Sequence, residues 1–155
     1  MWAEEFLGGL VLPLPILLLR LVGAAALCAL IGYEREASNH AAGLRTNMLV
    51  GLAASAYALI TLHLVALYDD YGEAIRMDPV RLVEAVTAGV AFLAAGMIVL
   101  TRGRVRNLTT GAMMWLSAAI GLAAGSGLWP IAALAALLGL GIGALNGWLP
   151  GGRDK

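Results

Sequence analysis

Five long apolar runs, each close to twenty residues, constrain this chain more than any other feature. A helix needs about 20 apolar residues to cross roughly 30 Å of hydrocarbon. The runs occupy residues 15–32, 46–67, 79–100, 108–124 and 130–149, and residues 7–12 read as an interfacial lead-in. They are continuous rather than alternating, which argues against a β-barrel. The composition agrees: of 155 residues, 61% are hydrophobic and 13% charged, with mean hydropathy +0.85 and net charge zero. A chain this short has one core, too small to hide that much apolar surface from water. A soluble enzyme, a disordered chain and a basic nucleic-acid binder are excluded. The expectation is a single all-α membrane domain over residues 1–155, a bundle of about five transmembrane helices.

Local signals set the ends of the runs. Pro13 and Pro15 open the first, and Asp78-Pro79 opens the third as N-cap and first helical position. Gly125-Ser126-Gly127 closes the fourth. Glu4 and Glu5 stand where a secretory signal would carry Lys or Arg, so no cleaved leader is expected. Arg20 lies one to two turns inside the first run, within snorkelling reach of the surface. The one cysteine, Cys28, reads as a small packing residue.

Charge orients the runs. An odd number puts the termini on opposite sides. One side gathers Arg35, Arg45, Arg102, Arg104, Arg106, Arg153 and Lys155; the other has only Arg76 and Arg81. By the positive-inside rule the N-terminus is outside and the C-terminus cytoplasmic. With Arg20 and Glu84 set aside inside the runs, the net charge of zero is the sum of opposite faces. The outer face holds Glu4, Glu5, Asp69, Asp70, Glu73 and Asp78; the inner has only Glu34, Glu36 and Asp154 as acids.

Alanine and glycine supply nearly a third of the residues, a mixture suited to helices whose backbones approach closely in lipid. The expected packing positions are Gly89 and Gly96 in the third run, Gly121 and Gly125 in the fourth, and Gly139, Gly143 and Gly147 in the fifth. The stripe in the fifth suits a second copy of the chain, as a homodimer or larger homo-oligomer. It equally suits internal packing, with Gly121-x-x-x-Gly125 as the natural partner.

Two segments at the inner face stand out. One is Gly32-Tyr33-Glu34-Arg35-Glu36, followed through Asn39 by Ala42-Gly43-Leu44-Arg45-Thr46 and Asn47. The other is Arg104-Val105-Arg106-Asn107-Leu108-Thr109-Thr110, running into Gly111 and Trp115. Carboxylates, guanidinium groups and hydroxyls converge there at the ends of the first, second and fourth runs. Glu34, Arg35, Asn39, Arg45, Thr46, Asn47, Thr109 and Thr110 are therefore candidates for an ion or ligand site. The plainer reading makes Glu34, Arg35 and Arg45 paired anchors at headgroup level. Thr109 and Thr110 equally fit as helix caps, or as the edge of a helix N-terminus that attracts Glu34 or a phosphate. Arg81 and Glu84, three residues apart near the outer surface, read as a self-neutralising polar pair. His63 reads as a hydrogen-bonded interfacial residue rather than a proton relay.

These segments resemble the MgtC/SapB family of membrane proteins, whose Gly-x-Glu-Arg-Glu, Ala-Gly-Leu-Arg-Thr and Leu-Thr-Thr elements stand here at residues 32–36, 42–46 and 108–110. A Gly-rich third-run motif matches Gly89-Val90-Ala91-Phe92-Leu93-Ala94-Ala95-Gly96. The chain departs from the pattern at Cys28, Ala91, Ala94 and Asn107, each in place of a family glycine, which predicts slightly looser helix packing. It also reads as a short form without the soluble C-terminal domain of the family's virulence-linked members. The resemblance implies a role in magnesium homeostasis, either transport-related or as a regulator of another membrane complex. Magnesium is the implied ligand, and membrane lipid, further copies and a membrane-protein partner are the implied contacts. The alternative is a transporter or channel for another ion or small solute through the polar cluster. No cofactor is expected, and no P-loop, Gly-x-Ser-x-Gly or His-Glu-x-x-His pattern suggests an enzyme.

Overall fold

The computed structural model of the chain describes residues 10–68, 78, 80–101 and 104–145. The described residues form a bundle of five helices: α1 Leu14–Ala37, α2 Leu44–Tyr68, α3 Val80–Met97, α4 Leu108–Gly125 and α5 Trp129–Leu145. Between α3 and α4 lies a short antiparallel hairpin of β1 Val99–Thr101 and β2 Arg104–Arg106. Four of the helices are long and apolar enough to cross a membrane, and α5 is apolar but shorter at 17 residues. This is an all-α membrane bundle. Pro79, Gly147, Arg76, Arg102, both charged termini and the start of the lead-in lie outside the described residues.

Two boundaries differ from expectation. The first helix continues to Ala37 instead of ending at Gly32, so Tyr33, Glu34, Arg35 and Glu36 are helical. No breaker intervenes before Ser38 and Asn39, and Asn39 takes the left-handed conformation at φ 56°. The third helix ends at Met97 rather than Leu100, because Val99, Thr101 and Val105 are β-branched and pair across the hairpin. Asn107, at φ 64°, turns the chain from the hairpin into α4. Asparagine tolerates that conformation better than most residues. At the other end of α3, Asp78 accepts the Val80 N–H at 2.9 Å and caps the helix as expected.

Glycines set which helices touch. Helices α2 and α4 run parallel at a constant offset of 70 residues: Asn47 meets Ser117, Gly51 meets Gly121, and Ser55 meets Gly125. A methyl added at Gly125 would lie 2.6 Å from the Ser55 carbonyl oxygen, and one at Gly121 would overlap the Gly51 backbone. The expected pairing of Gly121 and Gly125 with the α5 stripe is therefore wrong; they pack on α2. Helix α1 lies antiparallel to both, with Gly32 against the Leu44 backbone and Cys28 against Gly51. Cys28 is fully buried, and Gly51 supplies the room its side chain takes up. Helix α5 uses Gly139 against Leu116 and Ile31, and Gly143 against Glu34. The core between α1, α4 and α5 contains Ala24, Cys28, Ile31, Ile120, Ala124 and Ala136.

Helix α3 is different. It buries only Val86, Val90 and Ala94. Gly89 and Gly96, expected to pack, have no atom of another described element within 4 Å of where a Cβ would stand. Arg20, one to two turns inside α1, reaches toward the end of the bundle, where its Nη1 donates to the Gly125 carbonyl at 2.8 Å and closes the C-terminus of α4.

Candidate functional site

The polar residues gather where α1 ends and α2 and α4 begin. Arg35 is completely buried, a placement that a cation tolerates only with a close partner. That partner is its own neighbour. Arg35 Nε donates to Glu34 Oε2 at 2.5 Å and Nη2 to Oε1 at 2.8 Å, a two-pronged ion pair. Arg35 Nη2 also faces the Gly143 carbonyl at 3.5 Å, and the Ser38 hydroxyl donates to Glu34 at 3.2 Å. Gly143 makes room for the pair, since a Cβ there would stand 2.8 Å from the Glu34 carboxylate.

Glu36 does a separate job. Its Oε2 accepts the Leu44 N–H at 2.8 Å, supplying a side-chain cap to the first turn of α2. Gly43, with no side chain, lets that carboxylate approach. One turn further, Asn47 is fully buried and fully used. Its Nδ2 donates to the Ala42 and Gly43 carbonyls at 3.0 and 2.9 Å, and its Oδ1 accepts the Ser117 hydroxyl at 2.8 Å. Cys28 Sγ reaches the Ser117 carbonyl at 3.3 Å, and the Ser55 hydroxyl reaches the Arg20 carbonyl at 3.4 Å. A chain of buried polar contacts thus ties α1, α2 and α4 together.

Of the residues singled out by sequence, Glu34, Arg35, Asn47 and Thr110 come together at this end of the bundle. Thr46 and Thr109 are half-buried beside them; Arg45 and Asn39 are exposed. Neither Thr109 nor Thr110 caps α4, whose N-terminus carries no side-chain cap. Arg81 and Glu84 are both exposed on α3, and among the described residues no ion pair joins them. His63 lines an apolar groove with Leu10, Leu17 and Leu59. Sequence reasoning missed Ser55, Ser117, the capping role of Glu36, and His40. The repeat of Asn47-Gly51-Ser55 against Ser117-Gly121-Gly125, both at intervals of four, was the available signal for the first two.

A glycine-seamed bundle of apolar helices, with Arg35 buried against Glu34 and an asparagine lock, is the architecture of a helical membrane protein. The MgtC family profile matches residues 21–150. The chain is 35% identical over 116 residues to "Putative magnesium transporter YhiD" of Escherichia coli K12, covering 74% of this chain and 53% of that protein. It is 38% identical over 125 residues to protein MgtC of Brucella abortus, covering 81% and 49%. Protein SapB of Bacillus subtilis is 35% identical over 116 residues, covering 74% and 50%. No solved structure matches. The chain belongs to the MgtC family, and it spans about half the length of the curated relatives it matches.

Proposed function

We propose that this chain acts in magnesium homeostasis as a non-enzymatic, multi-pass protein of the bacterial inner membrane, with its N-terminus outside and its C-terminus cytoplasmic. Between a conductor of magnesium and a regulator that docks on other membrane helices, the geometry favours the regulator. The observation that carries this is how the inner-end carboxylates are used. Glu34 is held by Arg35 and Glu36 by the α2 amide, so their oxygens stabilise the bundle. A magnesium ion sheds water reluctantly and asks for an oxygen-rich, near-octahedral shell. Among the described residues, no three His, Cys, Asp or Glu side chains gather to provide one.

The docking side in this reading is the open face of α3, where Gly89 and Gly96 leave the backbone approachable by a helix of a second copy or of a membrane-protein partner. The test is flux. Purified chain in liposomes is expected to pass no magnesium, and cross-linking through Gly89→Cys is expected to capture a neighbouring helix. Magnesium uptake that disappears with Glu34→Ala would overturn the regulator. Reporter fusions at Gly127 and Lys155 are expected on opposite sides of the membrane; both on one side refutes the topology.

A further inference from the structure

We propose that the Arg35 end of the bundle binds a phosphoryl group beneath the N-terminus of α4, held by Arg35 Nη1, His40 Nδ1 and Thr110 Oγ1. These are the three buried side-chain polar atoms that have no hydrogen-bond partner among the described residues. Arg35 is 0% and Thr110 1% exposed, so water at the surface does not satisfy them. Burying such atoms unpaired is strongly unfavourable, and here the three fall at one level of the fold.

Helix register places them together. On the antiparallel pair α1 and α4, Cys28 meets Ser117. Seven residues toward the same end on each helix lead to Arg35 and Thr110. His40 stands in the loop between α1 and α2, which leads into the start of α2 where Asn47 bonds Ser117 of α4. His40 is in turn tied to α1, its backbone N–H donating to the Arg35 carbonyl at 3.0 Å. One helix pairing and one loop hydrogen bond thus bring the three residues to the same level.

The start of α4 adds to the site. Its N-cap residue, Asn107, turns its side chain away and donates to the Met97 carbonyl at 3.0 Å, so the first-turn amides of α4 have no side-chain cap. Uncapped amides at a helix start point at anions. Arg35 Nη1 and the Thr110 hydroxyl are donors, and His40 Nδ1 becomes one when it carries the ring proton. Such a set matches a group with several acceptor oxygens and no hydrogens of its own. Glu34 already balances the Arg35 charge, while exposed Arg45 and Arg106 keep this end positive. Asn107 and Thr109 are half-buried, so the level reaches the surface. The phosphoryl group can come from free phosphate or from a phospholipid headgroup. The inference does not rest on the magnesium reading.

The experiment uses the full chain in an uncharged maltoside detergent, titrated with inorganic phosphate. In parallel it is reconstituted in vesicles of phosphatidylglycerol or of a phosphorus-free galactolipid. The expected result is one saturable site per chain, read by thermal shift for phosphate, or one phosphatidylglycerol retained in native mass spectrometry. Thr110→Val, near-isosteric and without the hydroxyl, is expected to weaken that binding about tenfold. Phosphate binding in detergent identifies a free anion as the source; retention of phosphatidylglycerol alone identifies the headgroup. Failure of both probes to bind, or unchanged affinity in a folded Thr110→Val protein, overturns the site and leaves these atoms to buried water. If Thr110→Val does not fold, His40→Ala on the connecting loop carries the same expectation. Magnesium flux plays no part in the readout, so this test and that of the proposed function fail separately.

Discussion

Helices α3 and α4 have the same length and similar apolar composition, yet α4 buries eleven of its 18 residues and α3 only three. Helix α4 carries three glycines and α3 two. In α4, Gly121 and Gly125 lie on the backbone of α2; in α3, both face open space. The difference teaches what holds a membrane bundle together. Lipid supplies no hydrophobic force between helices, so association depends on close backbone approach and on polar contacts. The α2–α4 seam has both, since Gly51 and Gly121 bring the backbones together and Asn47 with Ser117 bonds across them. The outer face of α3 has glycines without a facing partner, and there they do nothing for stability within one chain.

Substitutions can break this contrast. Gly121→Leu drives a side chain into the Gly51 backbone and is expected to cost about 3 kcal/mol or more, seen as loss of a cooperative thermal transition in detergent. Asn47→Leu strands the Ser117 hydroxyl and removes the side-chain donor to the Ala42 and Gly43 carbonyls, with an expected loss of about 1–3 kcal/mol by denaturant titration. Glu36→Ala removes the α2 cap, and about 1 kcal/mol is expected to go with it in the same titration. Gly89→Ala and Gly96→Ala meet nothing within one chain and should leave its stability unchanged or higher, by up to about 1 kcal/mol each from helix propensity. If Gly89→Ala destabilises the protein in detergent at high dilution, Gly89 packs against the bundle, and the contrast fails.

The bundle class and its five helices were legible because apolar length is a direct consequence of bilayer thickness. Asp78 as a cap was legible from a local rule, as was the burial of Cys28. Gly121 and Gly125 were legible as packing residues but not by partner, because a small-residue stripe does not say which helix it meets. The hairpin at 99–106 was hidden by the apolar character of Ile98, Val99 and Leu100, which continues the helix pattern without a break. Arg45 drew attention by charge and motif, yet it lies exposed. Ser117 drew none and sits at the centre of the seam. Burial depends on helix rotation, and rotation is set by glycines on other helices far along the chain.

The separation of 70 residues between Asn47 and Ser117 also governs how the protein can be made. A ribosome adding roughly 5–20 residues per second needs on the order of 4–14 s to pass from one to the other. Through that interval α1 and α2 can close as a hairpin, since their contacts are local. The side of α2 that carries Asn47, Gly51 and Ser55 must wait, with its asparagine turned toward lipid or held by the insertion machinery. The α2–α4 seam can therefore close only after α4 has been made.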